Sequence, residues 1–234
     1  MIALRACNWR AKSASGPTAR DYVQDGLVAM WDGIENAGWG VHDDGATVWK
    51  DVVGSYDMTI STGGTWSKNS FVSNPSYMQT ANIGRDIDGI LTIECRCKVN
   101  SAGNGRAVIG FDSKPTSNVI SASRYVVYRA NGTVNFTGRG SFFTGAGLGV
   151  AASYTGVFQS SGGVDISDGY MDGVAQTISP SGGYGFGYNA PSVSQFSGYK
   201  LDGEIYSVRI YSRALTAAEI AANYAVDRAR FNLA

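Results

Sequence analysis

The chain has 234 residues, 16% of them charged and 12% aromatic, and its formal net charge is zero. The length fits one large β domain, and 31 glycines indicate many turns between short strands and no coiled coil. The balanced charge argues against binding to nucleic acid. No run reaches the roughly 18 apolar residues of a membrane-spanning helix, so membrane insertion is not expected.

Residues 1–24 are predicted to form an extension ahead of a single domain at residues 25–234. Arg5, Arg10, Lys12 and Arg20 make this extension a basic arm, because no acidic residue precedes Asp21. The same side chains interrupt every apolar run, so the segment lacks the apolar core of a signal peptide. We expect an arm that is flexible or docks on a partner, without an export signal.

Most of the chain has the pattern of short strands separated by turn sequences rich in glycine, serine and asparagine. Strands are predicted at residues 27–31, 47–49, 57–60, 71–72, 77–79, 91–99, 106–111, 125–129, 133–137, 148–158, 164–171, 174–178, 184–188 and 205–211. Residues 32–44 and 189–197 are predicted to be loops, and the first is long enough to carry a function.

Two of these strands alternate clearly. In strand 91–99 the apolar face holds Leu91, Ile93, Cys95, Cys97 and Val99, and the polar face holds Thr92, Glu94, Arg96 and Lys98. In strand 205–211 one face holds Ile205, Ser207, Arg209 and Tyr211, and the other holds Tyr206, Val208 and Ile210. Strands that are buried on one face and solvated on the other favour an antiparallel sandwich over a parallel α/β sheet.

A short helix is predicted to follow the last strand. Thr216 and Glu219 have the spacing of a capping box, and Ile220 and Tyr224 lie one turn apart on one side. The predicted fold is therefore all-β, an antiparallel β-sandwich with a short C-terminal helix.

The closing run G-E-I-Y-S-V-R-I-Y-S-R-A-L-T-A-A-E-I, residues 203–220, resembles the last strand and helix of laminin-G-like, concanavalin A-like lectin/glucanase jelly rolls. Three further runs resemble motifs of that family in the same order: W-K-D-V-V-G-S-Y-D-M at 49–58, L-T-I-E-C-R-C-K-V at 91–99 and G-Y-M-D-G-V at 169–174. The opening D-G-L-V-A-M-W-D-G-I, residues 25–34, is similar to the start of such domains in phage and prophage structural proteins.

Some jelly rolls of this kind are glycoside hydrolases, which need two carboxyl groups on either side of the bond that is cleaved. The chain lacks the E-x-D-x-x-E strand of those enzymes: Glu94 is the only acid in its strand, and Glu219 is explained by the helix cap. The single histidine, His42, has no G-x-S-x-G partner and is interpreted as an ordinary loop residue. We expect no catalytic residues, and glycoside hydrolysis stays a remote alternative.

The resemblance implies that calcium is a candidate cofactor, because many laminin-G-like domains hold this ion; no other cofactor is expected. Asp32, Asp43 and Asp44 are the candidate ligands, whereas Asp165 and Asp168 fall on opposite faces of a predicted strand. Cys95 and Cys97 share one face, and Cys7 lies far away, so all three are interpreted as reduced, small apolar side chains.

Sugar binding requires aromatic faces next to polar groups that hold hydroxyls. The candidates in predicted loops are Trp39, Trp66, Phe142, Phe143, Tyr188 and Phe196, with Asn189 and Gln195 as polar neighbours. The alternative for each aromatic ring is a place in the core or in a subunit contact. Phe142 and Phe143, if exposed, indicate a contact with a partner.

The resemblance implies a non-enzymatic binding module of a virion or surface assembly, built in the cytoplasm, that attaches to glycans or to neighbouring structural proteins. The alternative is a purely structural capsid-decoration or fibre protein that binds no sugar. A homo-oligomer is compatible with either function.

Overall fold

The computed structural model describes residues 16–80, 85–86, 90–100, 107–112, 125–130, 133–137, 141–160, 164–180, 192–193 and 195–231. Side chains are described for residues 16–60, 64–73, 90–100, 134–136, 143–158, 166–179 and 202–231. A 3₁₀ turn, Ala19–Asp21, comes before the first strand, and one helix, α1 (Ala217–Arg230), follows the last.

The strands, in chain order, are β1 (Leu27–Asp32), β2 (Val48–Trp49), β3 (Met58–Trp66), β4 (Phe71–Thr80), β5 (Arg85–Asp86), β6 (Ile90–Val99), β7 (Ala107–Asp112), β8 (Tyr125–Ala130), β9 (Thr133–Thr137), β10 (Ser141–Gly147), β11 (Ala151–Ser160), β12 (Val164–Met171), β13 (Val174–Gln176), β14 (Ser179–Pro180), β15 (Ser192–Val193) and β16 (Gln195–Tyr211).

The strand β16 joins two antiparallel layers. Its first half pairs with β4 and β7, and its second half pairs with β6 and β1. One layer continues from β6 to β11, β12 and β13, and the other runs from β7 to β8, β9, β10 and β14, with β3 and β2 beyond β4. The small pair β5–β15 is separate. This arrangement confirms the predicted antiparallel β-sandwich with a short C-terminal helix.

The core between the layers is aromatic. The ring of Phe136 in β9 stacks on Phe143 in β10 at 5.2 Å and on Tyr154 in β11 at 6.4 Å. Cys95 and Cys97 are buried in the same core and are free thiols, as predicted, and burial raises the pKa of Cys95. Cys7 lies outside the described residues.

The prediction that β6 has a solvated face is wrong. Glu94 and Arg96 are each only 2% exposed, because α1 and the segment before β1 cover that side of the sheet. Alternation in the sequence indicates which side chains share one face of the strand and which of the two faces is polar. It does not report whether another element covers them.

The predicted faces of β16 also need a correction. A bulge at Tyr206, where the pairing with β6 shifts, places Ile205 in the core with Val208 and Ile210. Ser207, Arg209 and Tyr211 then face α1. A bulge adds one residue and reverses the alternation, which a strict period of two cannot anticipate.

Several strand boundaries differ from the prediction. Residues 71–72 and 77–79 belong to one strand, β4, and residues 195–197 lie in β16 and not in a loop. The strand β10 was not predicted, because its glycines weaken the strand signal. Residues 184–188, predicted as a strand, lie outside the described residues.

The helix α1 begins as predicted: Thr216 Oγ1 accepts from Glu219 N, and Glu219 accepts from Thr216 N at 2.8 Å. Ile220 is buried and Tyr224 half-buried. No helix among the described residues is both long and apolar enough to cross a bilayer.

The last part of the predicted extension lies against the body. Ala19 is 0% exposed and Tyr22 is 2% exposed, and the backbone N–H of Val23 donates to Asn223 on α1 at 2.8 Å. The carbonyl of Pro17 also accepts from Arg230 on α1. The division of the chain into an extension and one domain stays a prediction.

Candidate functional site at the Trp39 loop

The loop between β1 and β2 is held in shape by its own polar groups. Asn36 and Asp43 exchange two hydrogen bonds of 2.8 Å, and Asn36 O accepts from Lys50 N at 2.9 Å. The ring of His42 bonds to Ile34 O through Nδ1. A loop that is braced in this way presents its outer side chains in a defined orientation.

The carboxylate of Glu35 connects this loop to the 3₁₀ turn. Its Oε2 accepts from Gly40 N at 2.9 Å, and its Oε1 accepts from Ala19 N at 3.1 Å. Oε1 also accepts from the Arg230 guanidinium at 3.1 Å. One buried side chain therefore fixes the backbone directly beside Trp39 and directly beside Arg20.

The Arg20 guanidinium lies over the Trp39 ring, with its central carbon 4.5 Å from the ring centroid. Trp39 is half-buried and packs on a small apolar cluster that includes Met30 and Val52. Val41, two residues further along the loop, is 50% exposed. We call Arg20, Trp39 and Val41 the Trp39 surface.

Trp39 differs from the other tryptophans with described side chains in the hydrogen bonding of its indole N–H. Trp31, Trp49 and Trp66 each donate the indole N–H to a backbone carbonyl at 2.8–3.0 Å. The indole N–H of Trp39 has no hydrogen-bond partner within the described ranges, and it is not buried. This donor is available to a ligand.

Of the other predicted ligand residues, the two with described side chains, Trp66 and Phe143, are not part of this surface. Trp66 packs edge-on against Trp49 and Phe71 at the border of the hydrophobic core. Phe143 is buried between the layers, so it is neither a loop residue nor a partner contact. The side chains of Phe142, Gln195 and Phe196, which lie on β10 and β16, and all of Tyr188 and Asn189 lie outside the description.

The three candidate calcium ligands have separate partners. Asp32 is 0% exposed, and its Oδ1 accepts from Arg230 at 2.7 Å and from two backbone N–H groups. Asp43 accepts from Gly45 N, and Asp44 bonds to His42. No cluster of three or more metal-binding side chains occurs in the described part of the chain. A calcium site stays a prediction.

A second polar cluster lies under α1. Arg209 on β16 donates to Glu94 at 2.8 Å and makes two bonds to Asp227, of 2.9 and 3.1 Å. Tyr22 and Ser153 donate to Asp227, and Asn223 donates to Glu94. We call Glu94, Arg209, Asn223, Asp227, Tyr22 and Ser153 the buried ionic cluster.

The pKa values of the two carboxylates in this cluster are shifted in opposite directions from their ordinary values. Burial raises the pKa of Glu94 in spite of its bond to Arg209. Burial also acts to raise the pKa of Asp227, but the Arg209 guanidinium together with the hydrogen bonds from Ser153 and Tyr22 outweighs it, so that pKa is lowered. Two acids with divergent pKa values are typical of acid–base catalysis, but here the side chains of both are almost fully buried. The arrangement fastens α1 to the sheet and offers no access to a substrate.

Sequence reasoning missed this cluster because it assigned Glu94 to a solvated face and Ile220 and Tyr224 to the packed face of α1. The available signal was the pair Asn223 and Asp227, which are four residues apart on one side of the helix. A polar pair on the inward face of a helix indicates a buried polar partner on the sheet.

Comparison with known proteins shows the fold. No protein-family model and no curated protein sequence matches the chain. Its structure is similar to a Trypanosoma rangeli sialidase solved in complex with sialic acid, with a TM-score of 0.58 at 15% identity over 85% of this chain and 32% of the sialidase. The chain thus spans about a third of the sialidase's length.

The structure is also similar to domain 4 of AbnA, a GH43 extracellular arabinanase from Geobacillus stearothermophilus, solved in complex with arabinotriose. Here the TM-score is 0.52 at 14% identity over 83% of this chain and 96% of that domain. A mutant of HCR/D gives a TM-score of 0.56 at 10% identity over 87% of this chain and 52% of that protein. At these identities the likeness establishes a common β-sandwich fold.

Proposed function

We propose that this chain is a glycan-binding module without catalytic activity, and that the Trp39 surface contacts the sugar. The observation that carries the proposal is the unpartnered indole N–H of Trp39, presented on a loop braced by Glu35. Sugars are bound by aromatic side chains that offer a face or edge together with polar groups that orient hydroxyls. The similarity to almost the whole of an arabinanase domain solved with arabinotriose supports the same function.

The burial and hydrogen bonding of the two acids of the buried ionic cluster support the proposed absence of catalysis. Glu94 and Asp227 lie beneath α1, and each is saturated by protein donors. A glycoside hydrolase needs both carboxyl groups in contact with its substrate. Release of reducing sugar from any polysaccharide that binds the chain would overturn this part of the proposal.

The proposed setting is a virion, most specifically that of a phage, assembled in the cytoplasm. Its support is the resemblance of residues 25–34 to the start of such domains in phage structural proteins. In that setting the module attaches the particle to a glycan or contacts neighbouring structural proteins. Immunogold labelling of particles from a producing host tests the location, and unlabelled particles would contradict it.

The test of glycan binding is a polysaccharide array probed with the whole chain, followed by titration of each glycan that is retained. Replacing Trp39→Ala is expected to raise the Kd by about tenfold or more, because it removes both the ring and the indole donor. The control is Val174→Ala on β13, a 64% exposed side chain outside the Trp39 surface, which is expected to change the Kd by about twofold or less.

A chain that is silent on the whole array would contradict glycan binding and favour the alternative of a purely structural decoration protein. Binding that survives Trp39→Ala unchanged would contradict the assignment of the site. Near-native circular dichroism of both variants shows that a loss of affinity reports on the contact and not on unfolding.

A further inference from the structure

We infer that the glycan bound at the Trp39 surface carries a carboxylate, and that Arg20 receives this group. The inference rests on the proposed function and goes one step further, because it assigns the chemical class of the ligand.

The first argument compares the carboxylate partners of the arginine side chains. Arg209, Arg213 and Arg230 each bond to a carboxylate of the chain at 3.1 Å or less. Arg20 is exposed, and the contact of its guanidinium is the Trp39 ring; no carboxylate reaches it from the residues whose side chains are described. The neighbouring Asp21 carboxylate accepts from Thr18 N and Thr18 Oγ1.

The second argument is geometry. A guanidinium that stacks on an aromatic ring keeps its N–H donors in the plane, where they point past the edge of the ring. That fork matches the two oxygens of a carboxylate, and the paired bonds are stronger than bonds to a neutral hydroxyl. Because the Arg20 guanidinium lies 4.5 Å from the centre of the Trp39 ring, a sugar acid whose carboxylate is bound by Arg20 lies next to the indole that carries the free N–H.

The third argument is preorganisation. Glu35 holds the peptide N–H of Ala19 and of Gly40 at once, so the backbones that carry Arg20 and Trp39 cannot separate without breaking this link. Arg230 holds Glu35 in place from α1. Glu35 is a positioning residue here, and its own charge is committed to Arg230.

The experiment compares carboxylated glycans with their neutral counterparts. The probes are polygalacturonate, alginate, hyaluronate and polysialate, each next to the same polymer after its carboxyl groups have been reduced to alcohols. Dextran sulfate tests whether any anion suffices. The proteins are the unchanged chain, Arg20→Gln, Arg20→Lys and, as a matched control, Arg228→Gln on the exposed side of α1.

We expect at least one carboxylated glycan to bind, and reduction of its carboxyl groups to raise the Kd by about tenfold or more. Arg20→Gln is expected to cause a loss of the same size, Arg20→Lys a smaller loss because charge remains without the fork, and Arg228→Gln no loss. On the carboxyl-reduced polymer, Arg20→Gln should have no further effect.

Three results would overturn the inference. If the carboxyl-reduced polymer binds as tightly as the unreduced polymer, and Trp39→Ala still abolishes this binding, the carboxylate is not what the site recognises. The proposed function would then still stand. Equal binding of dextran sulfate would show a general anion site. Silence on every glycan would remove both the inference and the proposed function.

Discussion

At the scale of single residues, Arg209 lies in a buried environment of charged side chains. It is buried between the carboxyl groups of Glu94 and Asp227, where water does not solvate any of the three side chains. Such a group is tolerated because each charge faces an opposite one and the remaining donors and acceptors are satisfied. Removal of the central cation leaves two carboxylates buried and unpaired.

Replacing Arg209→Met is therefore expected to lower the free energy of unfolding by about 3–5 kcal/mol. The control is Arg213→Met, whose ion pair with Glu219 is partly exposed, with an expected loss of about 1 kcal/mol or less. Urea unfolding followed by tryptophan fluorescence measures both. If the two variants lost the same amount, the buried ionic cluster would not have the structural role assigned to it.

At the scale of elements, the start of α1 depends on an ionised side chain. The bonds from Arg213, together with the backbone N–H of Thr216, lower the pKa of Glu219 from 4.5 to about 2. Because the folded pKa lies below the ordinary value, this carboxylate stabilises the fold fully above about pH 4.5, and its contribution is lost as the pH falls towards 2. The anchor of the helix is thus sensitive to acid.

Glu219→Gln keeps a side chain that can close the capping box but removes the charge. We expect the variant to be less stable than the unchanged chain at pH 7, and the difference to shrink steadily between about pH 4.5 and pH 2. Urea unfolding at a series of pH values measures this difference. Arg213→Gln breaks the same pair from the other side and should show the same trend, whereas a difference that is independent of pH would refute it.

At the scale of the whole molecule, the two layers approach each other where glycine faces an aromatic ring. A Cβ atom at Gly156 in β11 would collide with the ring of Phe136 in β9, and one at Gly169 in β12 would collide with Phe143 in β10. These glycines make room for the stacked rings that fill the core. The spacing of the layers therefore depends on the absence of a side chain.

Gly156→Ala is expected to destabilise the fold by about 1–3 kcal/mol, since the added methyl group overpacks the core. Gly147→Ala in β10 is the control, because a Cβ there meets no atom within 4 Å, and it is expected to change stability by about 0.5 kcal/mol or less. Thermal unfolding followed by calorimetry compares the two. Equal stability of the two variants would show that the layers can adjust.

Local patterns in the sequence were enough to predict the fold class and most of its strands and helix. Alternation in residues 91–99 identified the central strand, and Thr216 with Glu219 identified where the helix begins. These features are local: a strand places neighbouring side chains on opposite faces, and a cap joins residues three apart. A short window of sequence contains all of that information.

Which polar side chains contact each other became known from the packing of distant elements. Glu94 and Arg209 are 115 residues apart in the chain, and Arg230 reaches Glu35 from 195 residues away to brace the loop that carries Trp39. The packing of the elements also distinguishes Trp39, whose indole N–H has no partner, from Trp66 and Phe143, which are part of the core. Burial and charge pairing depend on which elements pack together, and periodicity within one element carries no information about its partner.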